Sequence, residues 1–489
     1  MTVEKFSVTD PVTGDLVATY PVHGAEDVAV AVKRAREAAT WWAELGYAER
    51  SQRLTAWKGV IVRRAPQLAG VVHAEMGKPH SDALLEIALA VDHVAWAAKH
   101  AKKVLGPQKV SSGMFMANQE STVEYLPLGV VGVIGPWNYP VYTPLGSIIS
   151  ALAAGNAVVY KPSEFTPGVG AWLVDTFAQA VPEQPVLQLI TGDGSTGAAL
   201  CRSGVDKIAF TGSTATGKKV MATCAETLTP VTMECGGKDA LIVDADADLD
   251  AAAAAAVWGG MSNAGQTCLG VERVYVHQDV YDAFLPKLVA EAESVQAGPD
   301  EKIGPITMPK QLDIIKRHMD DAIARGGTAL VGGPDAIAGR FVQPTVLVNV
   351  PEDSIAVTEE TFGPTLTVAK VRDMDDAVER ANATTYGLGM SVFAKEHGVE
   401  IARRVRSGVG AVNSVLSYAA VPSLPLGGVG ASGFGRVNGP DGLREFSYAK
   451  SITRQRFRPP VPLMTFARTA SAEKLVATAL TLLHGKRPK

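Results

Sequence analysis

Four short apolar runs, at residues 130–134, 157–160, 186–190 and 207–210, each end in a turn-forming string: Gly135-Pro136, Lys161-Pro162, TGDGSTG and TGSTATG. A helical stretch separates each run from the next. Residues 145–160, for example, read as a helix, a Gly155-Asn156 turn and a strand. Strands joined through helices run parallel, and a parallel sheet is covered by helices on both faces. Upstream, residues 26–39 place Val28, Val32, Ala35 and Ala39 on one helical face. A second strand series follows at 241–243, 272–276, 341–348 and 365–371, which makes Gly236-Gly237 a candidate seam between two α/β domains. The length of 489 residues points the same way, because one core rarely grows that large.

Two segments stand outside this alternation. Residues 109–127 lack helical periodicity and contain the strand-like STVEYL, and the chain from about Arg454 is basic and proline-containing. Such segments could pair with another subunit. Residues 472–484 put Leu475, Val476, Ala479, Leu480 and Leu483 on one face, the pattern of a helix lying on its own protein or on a neighbour. With 46 Lys+Arg against 50 Asp+Glu, the net charge of −4 removes the electrostatic reason to expect nucleic-acid binding. Four cysteines without C-x-x-C spacing form no disulfide framework, so a reduced, cytoplasmic setting is expected. The N-terminus has no signal-peptide h-region, and no run of about 18 apolar residues predicts a membrane span.

Several strings could carry chemistry. Cys268 lies in SNAGQTCLG, where flanking glycines let backbone approach a ligand; it reads as a nucleophile, against the alternative of a buried inert thiol. Cys201 and Cys224 sit in helical patterns and read as inert. Glu234 ends a β-branched segment before Cys235-Gly236-Gly237, and is either a general base or a cap. Asn138, between Pro136 and Pro140, is either a fixed oxyanion donor or a turn residue. The loop with Gly212, Ser213 and Gly217 joins a strand to a helix, where a pyrophosphate can bind. It fails as a P-loop because Lys219 replaces the Mg²⁺-binding hydroxyl. Lys161 and Glu164 follow the second run and could hold ribose hydroxyls, the carboxylate favouring NAD over NADP. Asp244, Asp246, Asp248 and Asp250 lack the spacing of a calcium loop and read as a helix start. The nine histidines form no metal motif, so no metal site is expected.

Taken in order, PWNYP (136–140), KPSE (161–164), FTGST (210–214), MECGGK (233–238), NAGQTC (263–268), EETFGP (359–364) and GGVGASGFGR (427–436) resemble the aldehyde dehydrogenase superfamily, from about residue 8 to 455. The resemblance implies an α/β fold. A Rossmann-like parallel-sheet cofactor domain would span 1–108 and 128–236, and a second α/β catalytic domain 237–435. A small β oligomerisation extension would come from 109–127 and 436–460, leaving 461–489 as a tail. Cys268 would be the nucleophile, Asn138 with the Cys268 backbone N–H the oxyanion hole, and Glu234 the base that activates water. NAD is the implied cofactor, with NADP as the alternative. Lys161 and Glu164 would hold its adenosine ribose, the Gly212-Ser213 loop its pyrophosphate and Glu360 its nicotinamide ribose. Phe362 would flank the ring and Trp137 line the cleft. The implied reaction is oxidation of an aldehyde to the acid through a thiohemiacetal and a thioester, in a homodimer or homotetramer. The runner-up is a catalytically silent homologue with a binding or structural role.

The sequence also departs from the family pattern. Cys235 replaces the usual Leu, GGVGASGFGR looks like the class 3 branch, and the N-terminal FSVTDPVTGDLVATYPV looks like the longer tetrameric branch.

Overall fold

The structure is a computed structural model that describes residues 4–459, 461 and 463–485. Two sheets dominate. The first has six strands in the order Gly433–Phe434, Val231–Glu234, Lys207–Thr211, Val130–Ile134, Ala157–Lys161, Leu187–Leu189. All pairs are parallel except the outermost, where Gly433–Phe434 runs antiparallel to Val231–Glu234. The chain starts this sheet in the middle, winds outward in one direction, then returns to the middle and winds outward in the other. The reversal falls between Val130–Ile134 and Lys207–Thr211, and such a point leaves a crevice outside the carboxyl ends of the two strands. Helices fill both faces. Trp42, from the helix Ala25–Glu44, and Trp57 are fully buried and meet Phe177 edge-on. Each indole N–H finds an acceptor, Leu152 O for Trp42 and Thr176 Oγ1 for Trp57, so large rings are buried without an unmet polar group.

The second sheet has seven strands: Thr328–Val331, Thr345–Val348, Thr365–Val371, Val271–His277, Asp239–Val243, Met390–Phe393 and Ala411–Val412. It is parallel except for its first strand. One face packs the helices Leu249–Met261, Gln278–Glu293 and Pro309–Ala324; the other packs Met374–Asn382 and Gly398–Arg404. Gly236-Gly237 carries the chain from the carboxyl end of Val231–Glu234 to the amino end of Asp239–Val243. The strand expected over 341–348 is broken. Phe341–Val342 pairs with Ile337–Ala338 in a small hairpin, and only Thr345–Val348 joins the large sheet. Pro344 stands at the break, with no N–H for a ladder.

A smaller unit comprises the described residues of 105–126 and 449–489. Its three-stranded sheet runs Ser447–Gln455, Gln119–Pro127, Gln108–Val110. Glu120 accepts from both Lys109 and Arg454, and these two cations hold its carboxyl down at about 2. The helix Ala470–His484 follows, and among its described residues only Ala472 is buried. Leu475, Leu480 and Leu483 of its apolar face are exposed. No helix among the described residues is long and apolar enough to cross a membrane.

Candidate active site

The crevice at the strand reversal holds a cavity of about 790 Å³. Its walls gather residues distant in sequence, among them Trp137 and Asn138, Lys161 and Glu164, Gly212 and Ser213, and Glu360 and Phe362. A second cavity of about 250 Å³ contains Glu234 on its wall. Among the described residues, Cys268 is the one that lines both. Every site residue expected from the sequence therefore lies on one of two cavities that share a single thiol.

The local backbone explains how Cys268 reaches this junction. Asn263, Ala264 and Gly265 have φ of 53°, 57° and 70°, three consecutive left-handed residues. Such a run is strained for the two non-glycine residues and turns the chain sharply out of the helix Leu249–Met261. A Cβ on Gly265 would lie 2.0 Å from Gly363 O, so only glycine lets this loop meet the 359–364 loop. Asn138 clamps the turn from the other sheet. Its Nδ2 donates to Gln266 O (2.9 Å) and its own carbonyl accepts from Asn263 Nδ2 (3.0 Å) and Lys78 Nζ (2.9 Å). One amide hydrogen of Asn138 is thus committed, and the second is the donor left for a ligand.

Glu234 is the last residue of its strand, in register with Thr211 on one side and Gly433 on the other. Thr211 Oγ1 donates to its carboxylate at 3.4 Å. Burial pushes the Glu234 carboxyl up to about 7, with Thr211 opposing. Burial also raises the Cys268 thiol well above its ordinary value, and the carboxylates of Glu234, Glu360 and Asp239 add to the rise. The Leu269 N–H opposes them. The rise favours the thiol form of Cys268 over the thiolate at neutral pH.

On the larger cavity, Lys161 Nζ is buried and donates to the Pro162 carbonyl at 3.0 Å. Burial lowers its pKa, and Glu164 opposes that fall. Ser213 caps the helix Thr214–Ala225, its Oγ accepting from Thr216 N. Glu360 accepts from Gly237 N at 3.0 Å, and burial lifts its carboxyl to about 8. A Cβ on Gly236 would lie 2.2 Å from that carboxylate, which accounts for glycine there. Phe362, at φ 54°, meets Trp137 edge-on at 5.6 Å and ties the two loops together. Cys201 and Cys224 contact each other in adjacent helices, buried, with Cys201 on the cavity wall. Cys235 also lines this cavity, and burial lifts its thiol to about 11.

A family model described as the aldehyde dehydrogenase family matches residues 1–452. The chain belongs to that family. A 4,4'-diapolycopene aldehyde oxidase from Methylomonas sp is 37% identical over 98% of this chain and 91% of its own. The NAD-dependent aldehyde dehydrogenase from Sinorhizobium meliloti superimposes with a TM-score of 0.89 at 34% identity, over 94% of this chain and 93% of that one. A succinate-semialdehyde dehydrogenase from Burkholderia pseudomallei gives 0.88 at 32% identity, over 92% and 95%. The α/β architecture with parallel sheets thus agrees with solved aldehyde dehydrogenases.

Two buried ion pairs brace this family member's site and were not singled out from the sequence. Lys78 pairs with Glu86 at 2.5 Å, and the other Glu86 oxygen accepts from the Val141 and Tyr142 N–H groups. That carboxylate caps the helix Tyr142–Ala154, whose own N-cap position offers no side-chain acceptor. Lys238 pairs with Glu272, which accepts from Thr361 N and Phe362 N and so fixes the 359–364 loop. A charged residue inside the apolar strand Val271–His277 is the signal that would have found Glu272. Lys238→Met leaves Glu272 buried without its cation. It should lower unfolding free energy by about 3–5 kcal/mol, read as a fall in the urea midpoint.

Proposed function

We propose that the chain oxidises an aldehyde to its carboxylic acid, with NAD taking the hydride. The position of Cys268 where the two cavities meet carries this reading. A thiol there can attack an aldehyde entering from the smaller cavity and present the adduct to an acceptor in the larger one. Attack of Sγ gives a thiohemiacetal, whose oxyanion is met by the Asn138 amide and the Cys268 backbone N–H. A dinucleotide held in the larger cavity would supply the hydride acceptor, and loss of hydride from the adduct carbon would leave a thioester on Cys268. Glu234 then takes a proton from water, the hydroxide attacks the thioester carbonyl, and the thiol leaves as the acid forms.

The larger cavity fits a dinucleotide by its donor set. Lys161 Nζ has one acceptor among the described residues and a carboxylate neighbour, an arrangement that a ribose diol completes. Lys161 and Glu164 would hold the adenosine ribose, and the helix N-terminus at Ser213, with Gly212 before it, the pyrophosphate. Glu360 would hold the nicotinamide ribose, with Phe362 and Trp137 flanking the ring. Glu164 would repel a 2′-phosphate. Wild type should therefore prefer NAD to NADP in kcat/KM, and Glu164→Gln should narrow the preference. A wild-type enzyme that favours NADP would refute this assignment.

Cys268→Ser, compared with Cys201→Ser and Cys224→Ser, tests the proposal as a whole. Assembly as a homodimer or homotetramer is part of it. The outer strand Ser447–Gln455 is exposed along nearly its whole length, and such an edge suits pairing with a second copy. Sedimentation velocity should find no significant monomer at micromolar concentration, and a stable monomer would remove this part.

A further inference from the structure

The smaller cavity is selective as well as reactive. Much of its wall is carbon: Leu89, Val415 and Leu426, with the half-exposed Leu85 and Trp258 (47% and 49%) at the mouth. Its charged lining is Lys78, Asp82, Glu86 and Glu234, and neither arginine nor histidine is present among the described residues. Lys78 is the one cation, and it is already used. Its Nζ donates to Glu86 and to the Asn138 carbonyl and lies 4.0 Å from the centre of the Tyr139 ring. Glu86 in turn is consumed by Lys78 and two backbone N–H groups. Asp82 remains: it takes a long bond of 3.4 Å from Ser81 Oγ, and burial raises its pKa while the Lys78 cation and that bond oppose the rise. The lining thus carries three carboxyl groups against one cation.

We infer that this site takes uncharged, apolar aldehydes and rejects aldehydes with a carboxylate at the far end, and that Asp82 enforces the rejection. The inference rests on the reading of Cys268 as nucleophile. A carboxylate drawn into this cavity would lose its water, meet no free counter-ion and face Asp82. An alkyl chain loses nothing polar and gains at each methylene. The apolar mouth lets the chain extend past the cavity along Leu85 and Trp258.

The test is a kcat/KM series with NAD. Butanal, hexanal and octanal should rise by about fourfold per methylene, the worth of a buried CH₂. Hexanal should exceed succinate semialdehyde by about 100-fold, the cost of a desolvated, unpaired charge. Asp82→Asn should lower the hexanal-to-semialdehyde ratio about tenfold, and Trp258→Arg, which places a cation at an exposed mouth position, should lower it further. Equal kcat/KM for hexanal and succinate semialdehyde, or a ratio unmoved by Asp82→Asn, would overturn the inference and leave the proposed reaction standing. A second readout does not depend on turnover. Hexanamide should protect Cys268 from iodoacetamide at about tenfold lower concentration than succinamate. If no aldehyde is oxidised, the reaction falls, and this protection ratio still decides the character of the cavity. Equal protection would refute it.

Discussion

Cys268→Ser should lower aldehyde oxidation by about 10⁴-fold or more while NAD binding stays within a few-fold of wild type. The serine hydroxyl keeps the shape of the junction. It is much harder to deprotonate than a thiol, and its ester would be slower to form. The cofactor cavity is lined mostly by other residues, so its affinity should survive. Cys201→Ser and Cys224→Ser should retain most activity, because both thiols are buried away from the smaller cavity. Steady-state rates and NAD titration by fluorescence read the two quantities separately. Comparable losses in all three variants would point to structural cysteines.

Glu234→Gln should slow turnover by about 10²–10⁴-fold, the usual worth of a general base. The amide keeps the strand-end geometry and removes the proton acceptor. If the base acts only on the thioester, hydride transfer survives for one cycle, and a burst of about one NADH per site precedes a slow steady rate. Hydroxylamine, which cleaves thioesters without a base, should then restore turnover. The raised thiol pKa allows a second task, because Cys268 faces three carboxylates and its thiol form is favoured. If Glu234 also takes the thiol proton, the burst slows along with the steady rate, and hydroxylamine restores little. The pH profile adds a sign. The base works deprotonated, and its carboxyl sits at about 7. Wild-type kcat should therefore fall about tenfold per unit below pH 7, and Glu234→Gln should lose that limb.

The parts of the fold legible in the sequence are those written in contiguous residues. The run at 365–371 coincides with a strand of the large sheet because nothing interrupts its ladder. The 341–348 reading failed at one residue, Pro344, whose missing N–H outweighs the β-branched pattern around it. In the NAGQTC loop only Gly265 signalled a left-handed backbone. Asn263 and Ala264 share that conformation because tertiary packing imposes it. The motif residues were visible because glycine and proline mark them. Lys78, Glu86 and Glu272 were not, and Lys238 showed only as the end of MECGGK, since their meaning lies in burial against each other and against backbone N–H groups distant in sequence. The same holds for Asp82. A charged residue near the start of a helix looks like a solvated face until the cavity beside it is seen.

In the proposed reaction Cys268 carries the acyl group where the two cavities meet. Glu234→Gln enzyme should be mixed with NAD and hexanal, quenched in acid within one turnover, digested and mapped by mass spectrometry. A hexanoyl group is expected on the peptide containing Cys268 and on no other cysteine peptide. An acyl group on Cys201, Cys224 or Cys235, or a full NADH burst with no acylated peptide, would contradict it.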